Sequence, residues 1–282
     1  MEHASAFTPP VLEQWRRREN LLPGLVLLVL AVAGWVYTAY QASTMDGMES
    51  MGGARISTMG GVVPFVLDWT AMMVAMMVPA TLPLILLYRT VARNRLSPVR
   101  ARVGMTALLA GYIAVWAAAG LPVYAYALAA ETVGRFAAVL PAVLLVIGGA
   151  YQFTSLKHSC HARCSDPLFF LMQKWKPGTA GALRLGVLHG IDCLGCCVGL
   201  MSGLVALGMM NLALVFTAAL FIFAEKTLPE SHRIARPLGV LMVVAGIVFL
   251  GLTLFGGMEQ PDGMEKIEPG AEEPEMKEMD SM

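Results

Sequence analysis

Long apolar runs separated by short polar segments dominate the chain. The runs cover residues 21–40, 62–88, 105–130, 137–156, 183–209, 212–224 and 238–255. About 20 apolar residues suffice to cross the hydrocarbon core of a bilayer. Backbone groups in hydrocarbon must pair within their own segment, so each run is expected to be helical. The pattern predicts an all-α transmembrane bundle of about seven helices, the sixth of which ends where Glu225 and Lys226 interrupt its apolar character.

Basic residues predict the orientation of this bundle. With the N-terminus in the cytoplasm, the segments on that side hold sixteen Lys and Arg residues. The segments on the opposite side hold four, namely Arg55, Arg135, Lys266 and Lys277. Positively charged residues collect on the cytoplasmic side of membrane proteins, so the N-terminus is predicted inside and the C-terminus outside. The run at 21–40 has no cleavage site directly after it and is expected to stay as a signal anchor in a bacterial inner membrane.

Composition supports a membrane protein and divides the chain into three parts. Hydrophobic residues make up 57% of the sequence and charged residues 14%, whereas soluble domains carry about 25% charged residues. We expect a cytoplasmic segment at 1–20, a transmembrane domain at 21–256 and an acidic, Met-rich outer tail at 257–282. The high charge and low hydrophobicity of the tail predict disorder. A net charge of zero offers no basis for nucleic-acid binding.

The second apolar run carries a carboxylate and two pairs of methionines. At about 100° per residue, Asp68, Met72 and Met76 share one helical stripe, and Met73 and Met77 form a neighbouring one. Thioether sulfur is a soft ligand that favours Cu(I), and an intramembrane carboxylate is usually functional. Methionine also packs well in any apolar interior, so packing is the alternative interpretation.

The fifth apolar run places further soft ligands on one helical face. His189, Asp192, Cys193, Cys196 and Cys197 fall within an arc of roughly 140°. Thiolate and imidazole suit Cu(I) and also Zn(II). The pattern predicts metal binding, with buried cysteines acting as ordinary small hydrophobes as the alternative. Glycines recur in the same run every fourth residue, at 195, 199 and 203, a spacing typical of close helix packing.

A third cluster follows the fourth apolar run. His158, Cys160, His161 and Cys164 lie within seven residues, at a position predicted to face the cytoplasm. A reducing compartment disfavours a structural disulfide there, so a metal or redox role is the functional interpretation. A basic loop with incidental cysteines is the alternative. Glu225 and Lys226 are expected to form a local ion pair or interfacial anchors, with gating or proton coupling as the functional alternative.

The soft ligands differ between the two sides of the predicted membrane. Every cysteine is expected in the membrane or the cytoplasm, and the outer segments carry methionines instead. Thioethers keep binding Cu(I) where thiols are lost to disulfides. This order suggests a relay for a soft metal. A Gly-rich phosphate loop with Lys and a Cys-x-x-Cys-His haem site are both missing from the sequence, so ATP-driven pumping and covalent haem are not expected.

At these residues the sequence resembles the DUF2182 family of predicted metal-binding integral membrane proteins. The matching pieces are 69–79, Tyr151-Gln152 leading to Lys157, Cys160 and Cys164 with Pro167, 190–201 and Glu225-Lys226. The resemblance implies a polytopic membrane fold and metal binding, with copper handling suspected. Val198 stands where the family usually has Trp, and Ser165 stands where it usually has Arg.

Three functions remain open from the sequence. The first is a non-enzymatic protein that binds Cu(I), with zinc as a second possible ion, and moves it or delivers it to a cuproenzyme or periplasmic copper carrier. The second is a membrane thiol oxidoreductase. It would need a reversible disulfide, and the adjacent Cys196 and Cys197 are poorly placed to form one. The third is an assembly or scaffold subunit of a membrane complex.

Overall fold

A computed structural model describes residues 18–49, 60–133, 139–209, 211–228 and 232–255. Within these residues the fold is all α-helical. The helices are α1 (Arg18–Glu49), α2 (Val62–Arg95), α3 (Pro98–Thr132), α4 (Val139–Tyr151), α5 (Ser155–Ser165), α6 (Pro167–Lys174), α7 (Thr179–Leu207), α8 (Leu212–Thr227) and α9 (His232–Phe255). The N-terminal segment up to residue 17, the methionines at 51 and 59, and the acidic tail at 257–282 lie outside the described residues.

Five helices in the described part of the chain are long and apolar enough to cross a membrane. They contain Gly24–Ser43, Val62–Arg95, Pro98–Thr132, Thr179–Leu207 and Ala235–Phe255. A sixth span results if α4 and α5, which are bent by 67° relative to each other, count as one. The all-helical prediction is confirmed, and the long apolar helices are consistent with a multi-pass membrane protein. The count of seven is not confirmed, because α8 has only 16 residues, slightly short of a full crossing.

The fourth apolar run does not form one straight helix. The amides of Gln152, Phe153 and Thr154 donate to carbonyl oxygens three residues earlier, at 3.0–3.1 Å, so the chain tightens into a turn. Thr154 then caps α5, because its hydroxyl accepts a hydrogen bond from the amide of Lys157 at 3.3 Å. A side-chain cap of this kind begins a new helix. The bend therefore turns the polar segment 155–165 away from the direction of α4.

The first predicted outer loop begins later than the apolar pattern indicates. The first apolar run ends at residue 40, which predicts a loop from residue 41, whereas α1 continues to Glu49. Apolar residues define the part of a helix that suits lipid. The helix itself continues as long as its residues tolerate helical backbone, and residues 41–49 include no proline.

Helix α7 lies at the centre of the bundle, packed against α3, α4 and α5. Its glycines permit this close approach, as the four-residue spacing predicted. A Cβ atom at Gly195 would lie 2.7 Å from the Cys160 sulfur, and one at Gly199 would lie 2.8 Å from the Gly148 carbonyl oxygen. One at Gly203 would lie 2.8 Å from the terminal methyl of Met242. Each distance is shorter than van der Waals contact. A side chain at Gly199 would collide with backbone, whereas at Gly195 and Gly203 the side chains of Cys160 and Met242 would have to shift.

Substituting Gly186 of α7 with Ala should destabilise the protein. The added methyl would overlap the main-chain carbonyl oxygen of Leu108 in α3, and backbone cannot move aside cheaply. Overpacking costs about 1–3 kcal/mol, which exceeds the gain of up to about 1 kcal/mol in helix propensity. Thermal unfolding of the detergent-solubilised protein, followed by circular dichroism, measures the effect.

Gly251→Ala is the matched control, because a Cβ atom at Gly251 of α9 would meet no atom within 4 Å. It should leave the unfolding temperature unchanged or raise it slightly. Equal shifts in the two variants would contradict the close packing of α3 on α7.

Candidate metal centre

The buried methionines of α2 and all five cysteines belong to one packed cluster. We call Met72, Met73, Met76 and Met77 the methionine stripe. We call Cys160, Cys164, Cys193, Cys196 and Cys197 the thiol cluster, since all five are free thiols and buried. The sequence put these residues in three separate motifs. The structure brings two cysteines of α5 and three of α7 together beside the stripe.

The bend between α4 and α5 makes this convergence possible. Cys160 and Cys164 lie one turn apart on α5, which packs along α7, and both are buried. Cys164 belongs to the same buried cluster as Cys193 and Cys196. The segment is therefore a helix with both cysteines inside the bundle rather than the basic loop of the alternative interpretation. His158 is exposed, and the His161 ring contacts the Ser165 hydroxyl at 3.2 Å.

Cys193 has the most polar surroundings of the five cysteines. The Lys226 ammonium donates to its sulfur at 2.8 Å, and the Tyr112 hydroxyl lies 3.1 Å from the same atom. A neighbouring ammonium favours the thiolate form, which is the metal-binding form of cysteine. Cys196 and Cys197 are in contact at 3.4 Å between their sulfurs. The α7 thiols thus form a compact group of soft donors with a cation beside it.

His189 lies one turn before Cys193 on α7 and is buried, with 1% of its surface exposed. Its ring packs beside those of Tyr112 and Phe170, at centroid distances of 5.8 and 5.3 Å. Neither ring nitrogen has a hydrogen-bond partner among the described residues. Buried polar atoms are nearly always satisfied, so this imidazole suits a role as a metal ligand.

The two predicted carboxylate ligands have other partners. Asp192 accepts a hydrogen bond from Nε of Arg163 at 2.8 Å, forming an ion pair between α7 and α5. Arg163 also lies 3.5 Å from the Cys160 sulfur. Asp68 accepts a hydrogen bond from the Tyr37 hydroxyl at 2.5 Å. Asp192 therefore positions α5 against the cysteine segment, and Asp68 lies apart from the thiols.

The arrangement is not a finished metal-binding site within the described residues. Across the described ranges, no group of three or more His, Cys, Asp and Glu side chains has the spacing to hold a metal ion. What the cluster offers instead is sulfur, from both thiols and the adjoining thioethers. Sulfur-rich surroundings favour a soft ion such as Cu(I) over hard divalent ions.

Several residues near the thiols had no role in the sequence-based prediction. The Tyr151 hydroxyl donates to the carbonyl oxygen of Gly195 at 2.6 Å, which ties α4 to the cysteine segment of α7. Tyr151, Gln152 and Lys157 appeared only as part of a family resemblance, and no local pattern marked Tyr112. Lys226 and Glu225 were expected to form a local ion pair or interfacial anchors, whereas in the structure the Lys226 ammonium donates to the Cys193 sulfur.

Glu225 instead pairs with Lys157, 68 residues earlier, across α8 and α5. The two Glu225 oxygens lie 2.9 and 3.2 Å from the Lys157 nitrogen, which also donates to the side-chain oxygen of Gln152. Both charged residues are 3% exposed or less. A buried charge without its partner is strongly unfavourable, so this pair fixes α8 against α5 next to the thiol cluster.

Replacing Lys157 with Met should cost about 3–5 kcal/mol of stability, because it leaves the Glu225 carboxylate buried and unpaired. The double variant Lys157→Met/Glu225→Leu removes both charges and should recover most of that loss. Thermal unfolding in detergent of the two single variants and the double variant measures the coupling. A double variant that is no more stable than either single variant would argue against the pair.

The comparisons with known proteins agree with this donor chemistry. The profile of the PpoB2 family, described as a copper chaperone, matches residues 66–249, more than half of the chain. No curated protein and no solved structure matches the chain. The match supports the copper-related part of the expected resemblance, although not the name DUF2182. It covers the methionine stripe, the thiol cluster and the Lys157–Glu225 pair. This chain belongs to the PpoB2 copper chaperone family.

Proposed function

We propose that this protein is a non-enzymatic Cu(I) carrier of the bacterial inner membrane, with its N-terminus in the cytoplasm and its C-terminus outside. It would hold Cu(I) as cargo through the thiol cluster and His189 and deliver it to a cuproenzyme or a periplasmic copper carrier. The observation that carries the proposal is the convergence of five cysteines from two helices beside the methionine stripe, in a chain of a copper chaperone family.

The chemistry of the donors supports Cu(I) over zinc as the cargo. Structural zinc sites enclose the ion with four Cys or His ligands in tetrahedral geometry. The five thiols here belong to one cluster that also contains the four thioethers of the methionine stripe and those of Met201 and Met242, and thioether sulfur favours Cu(I). Lys226 beside Cys193 favours a thiolate that is ready to bind, since the metal requires the deprotonated form.

A carrier must hold its metal where water and oxidants do not reach it. All five cysteines are buried, and the stripe residues Met73 and Met77 have no exposed surface. Burial limits oxidation of the thiols, because oxidation requires both thiolate character and access. Cu(I) entering this interior replaces protons on thiols and changes no oxidation state, so no separate electron donor is needed.

Changing Cys193, Cys196 and Cys197 to Ser together should abolish tight Cu(I) binding. Serine keeps nearly the same shape but offers a hard oxygen, so the affinity should fall by at least about ten-fold. Anaerobic titration of Cu(I) against a chromogenic chelator, in detergent, measures the dissociation constant. Val198→Ala is the matched control on the same helix, since Val198 is exposed to the surroundings of the bundle.

The outcome separates the three functions left open by the sequence. Unchanged tight Cu(I) binding in the triple variant would refute the thiol site. A failure of the unaltered protein to bind Cu(I) would favour the scaffold function. A reversible disulfide that forms on mild oxidation, detected by counting alkylated thiols, would instead favour the oxidoreductase.

A further inference from the structure

A cavity away from the thiol cluster lies between α1, α2 and the beginning of α8. Its volume is about 50 Å³, enough for a few water-sized groups. Four of its lining residues carry chemistry, namely Tyr37, Asp68, Met72 and Met209, and we call this cavity the α1–α2 pocket. Tyr37 is exposed, so the pocket is accessible from the surface of the bundle.

The polar groups of the pocket are arranged around one carboxylate. The hydroxyl of Tyr37 donates to Oδ1 of Asp68 at 2.5 Å, which holds the carboxylate in a fixed position. Asp68 is half-buried, and a carboxylate in a membrane helix carries a large desolvation cost. Ionisable residues within membrane helices usually mark a functional site or an ion pathway. The rest of the lining is aromatic or aliphatic apart from the uncharged polar residues Thr38 and Gln41, and it includes no cationic side chain.

Two thioethers flank the same space. Met72 comes from α2 and Met209 from the segment that joins α7 to α8, and both line the cavity. Met72 is 6% exposed and is the first residue of the methionine stripe. The same side chain therefore lines the pocket and begins the stripe of buried thioethers. Met209 packs against the same core. A negative charge with two soft sulfurs suits a soft monovalent cation.

The position of the pocket along α2 indicates the side of the membrane towards which it opens. Asp68 and Met72 are near the beginning of α2, whereas the basic residues Arg93 and Arg95 occupy its last turn. Under the positive-inside rule, the pocket therefore opens towards the outer side. Thioethers withstand an oxidising compartment better than thiols do, and no cysteine lines this cavity.

We propose that the α1–α2 pocket is a second Cu(I) site, at which the carrier exchanges its cargo with the outer compartment. This inference rests on the proposed function and adds a place of exchange to it. Asp68 supplies the charge, Met72 and Met209 supply the sulfur ligands, and Tyr37 positions the carboxylate. Passage to the thiol cluster is a ligand exchange in which each Cu–S bond that breaks is replaced by another. Copper stays Cu(I), and a thiol that binds it releases its proton.

The test is made in the full-length protein that carries the Cys193, Cys196 and Cys197 to Ser changes. Anaerobic Cu(I) titration should still find one weaker site there. Adding Met72→Leu and Met209→Leu should weaken that site by at least about ten-fold, because leucine keeps the apolar volume and removes the sulfur. X-ray absorption at the copper edge should show thioether sulfur before these changes and none after them.

The matched control in the same background is Met105→Leu with Met172→Leu. Met105 lies on α3 and Met172 is an exposed residue of α6, so this pair removes two thioethers outside the pocket. It should leave the weaker site unchanged. The pocket site would be overturned if the triple serine variant bound no Cu(I). It would also be overturned if that variant bound Cu(I) equally well with and without the changes at Met72 and Met209. Neither result bears on the thiol site, which is tested separately by comparing the triple serine variant with the unaltered protein.

A parallel measurement keeps all five cysteines, in case the combined variants do not fold. Met72→Leu/Met209→Leu should lose the weaker Cu(I) site and keep the tight one. In liposomes with the pocket outward, Cu(I) supplied from outside should load the thiols at least about ten-fold more slowly. Unchanged stoichiometry and loading rate in this variant would overturn the pocket as the place of exchange.

Discussion

The structure depends on how closely other helices approach α7. Lipid is as apolar as leucine, so helices in a membrane associate through close packing and internal hydrogen bonds rather than through the hydrophobic effect. Glycines on several faces of α7 let it contact backbone or short side chains of its neighbours. Gly190 faces Val115 of α3, Gly195 faces Cys160 of α5, and Gly199 faces the carbonyl of Gly148 in α4. A larger residue at Gly195 would push Cys160 away from the three thiols of α7.

Charge pairs fix α5 in this position. Each of them joins α5 to another helix, Lys157 to Glu225 of α8 and Arg163 to Asp192 of α7. Lys226, next to Glu225, makes a contact of its own with Cys193. Ionised groups in a low-dielectric interior are tolerated when they are paired. The buried Lys157–Glu225 pair and the more exposed Arg163–Asp192 pair together specify where α5 lies. The position of α5 decides which sulfurs meet.

Local periodicity was enough to predict much of this arrangement. The apolar runs marked α1, α2, α3, α7 and α9, and the 100° rotation per residue put the methionines of α2 on one face and the thiols of α7 on another. The bend after Tyr151 was missed, because the apolar run continues past it to Leu156 and only hydrogen bonds of the turn reveal it. A sequence also suggests partners by proximity, so Glu225 was assigned to Lys226 rather than to a residue 68 positions away.

The position of Lys226 illustrates what a carrier requires of its site. Its ammonium lies 2.8 Å from the Cys193 sulfur and favours the thiolate that binds Cu(I). The same positive charge repels the metal cation once it has arrived, and it does so in an interior where charges are weakly screened. A site built for permanent storage would avoid this opposition, whereas a carrier must both accept and release its cargo. In the proposed function, one lysine thus promotes loading and limits affinity, and the neutral thioethers of the methionine stripe offer weaker ligands to which the released Cu(I) can pass.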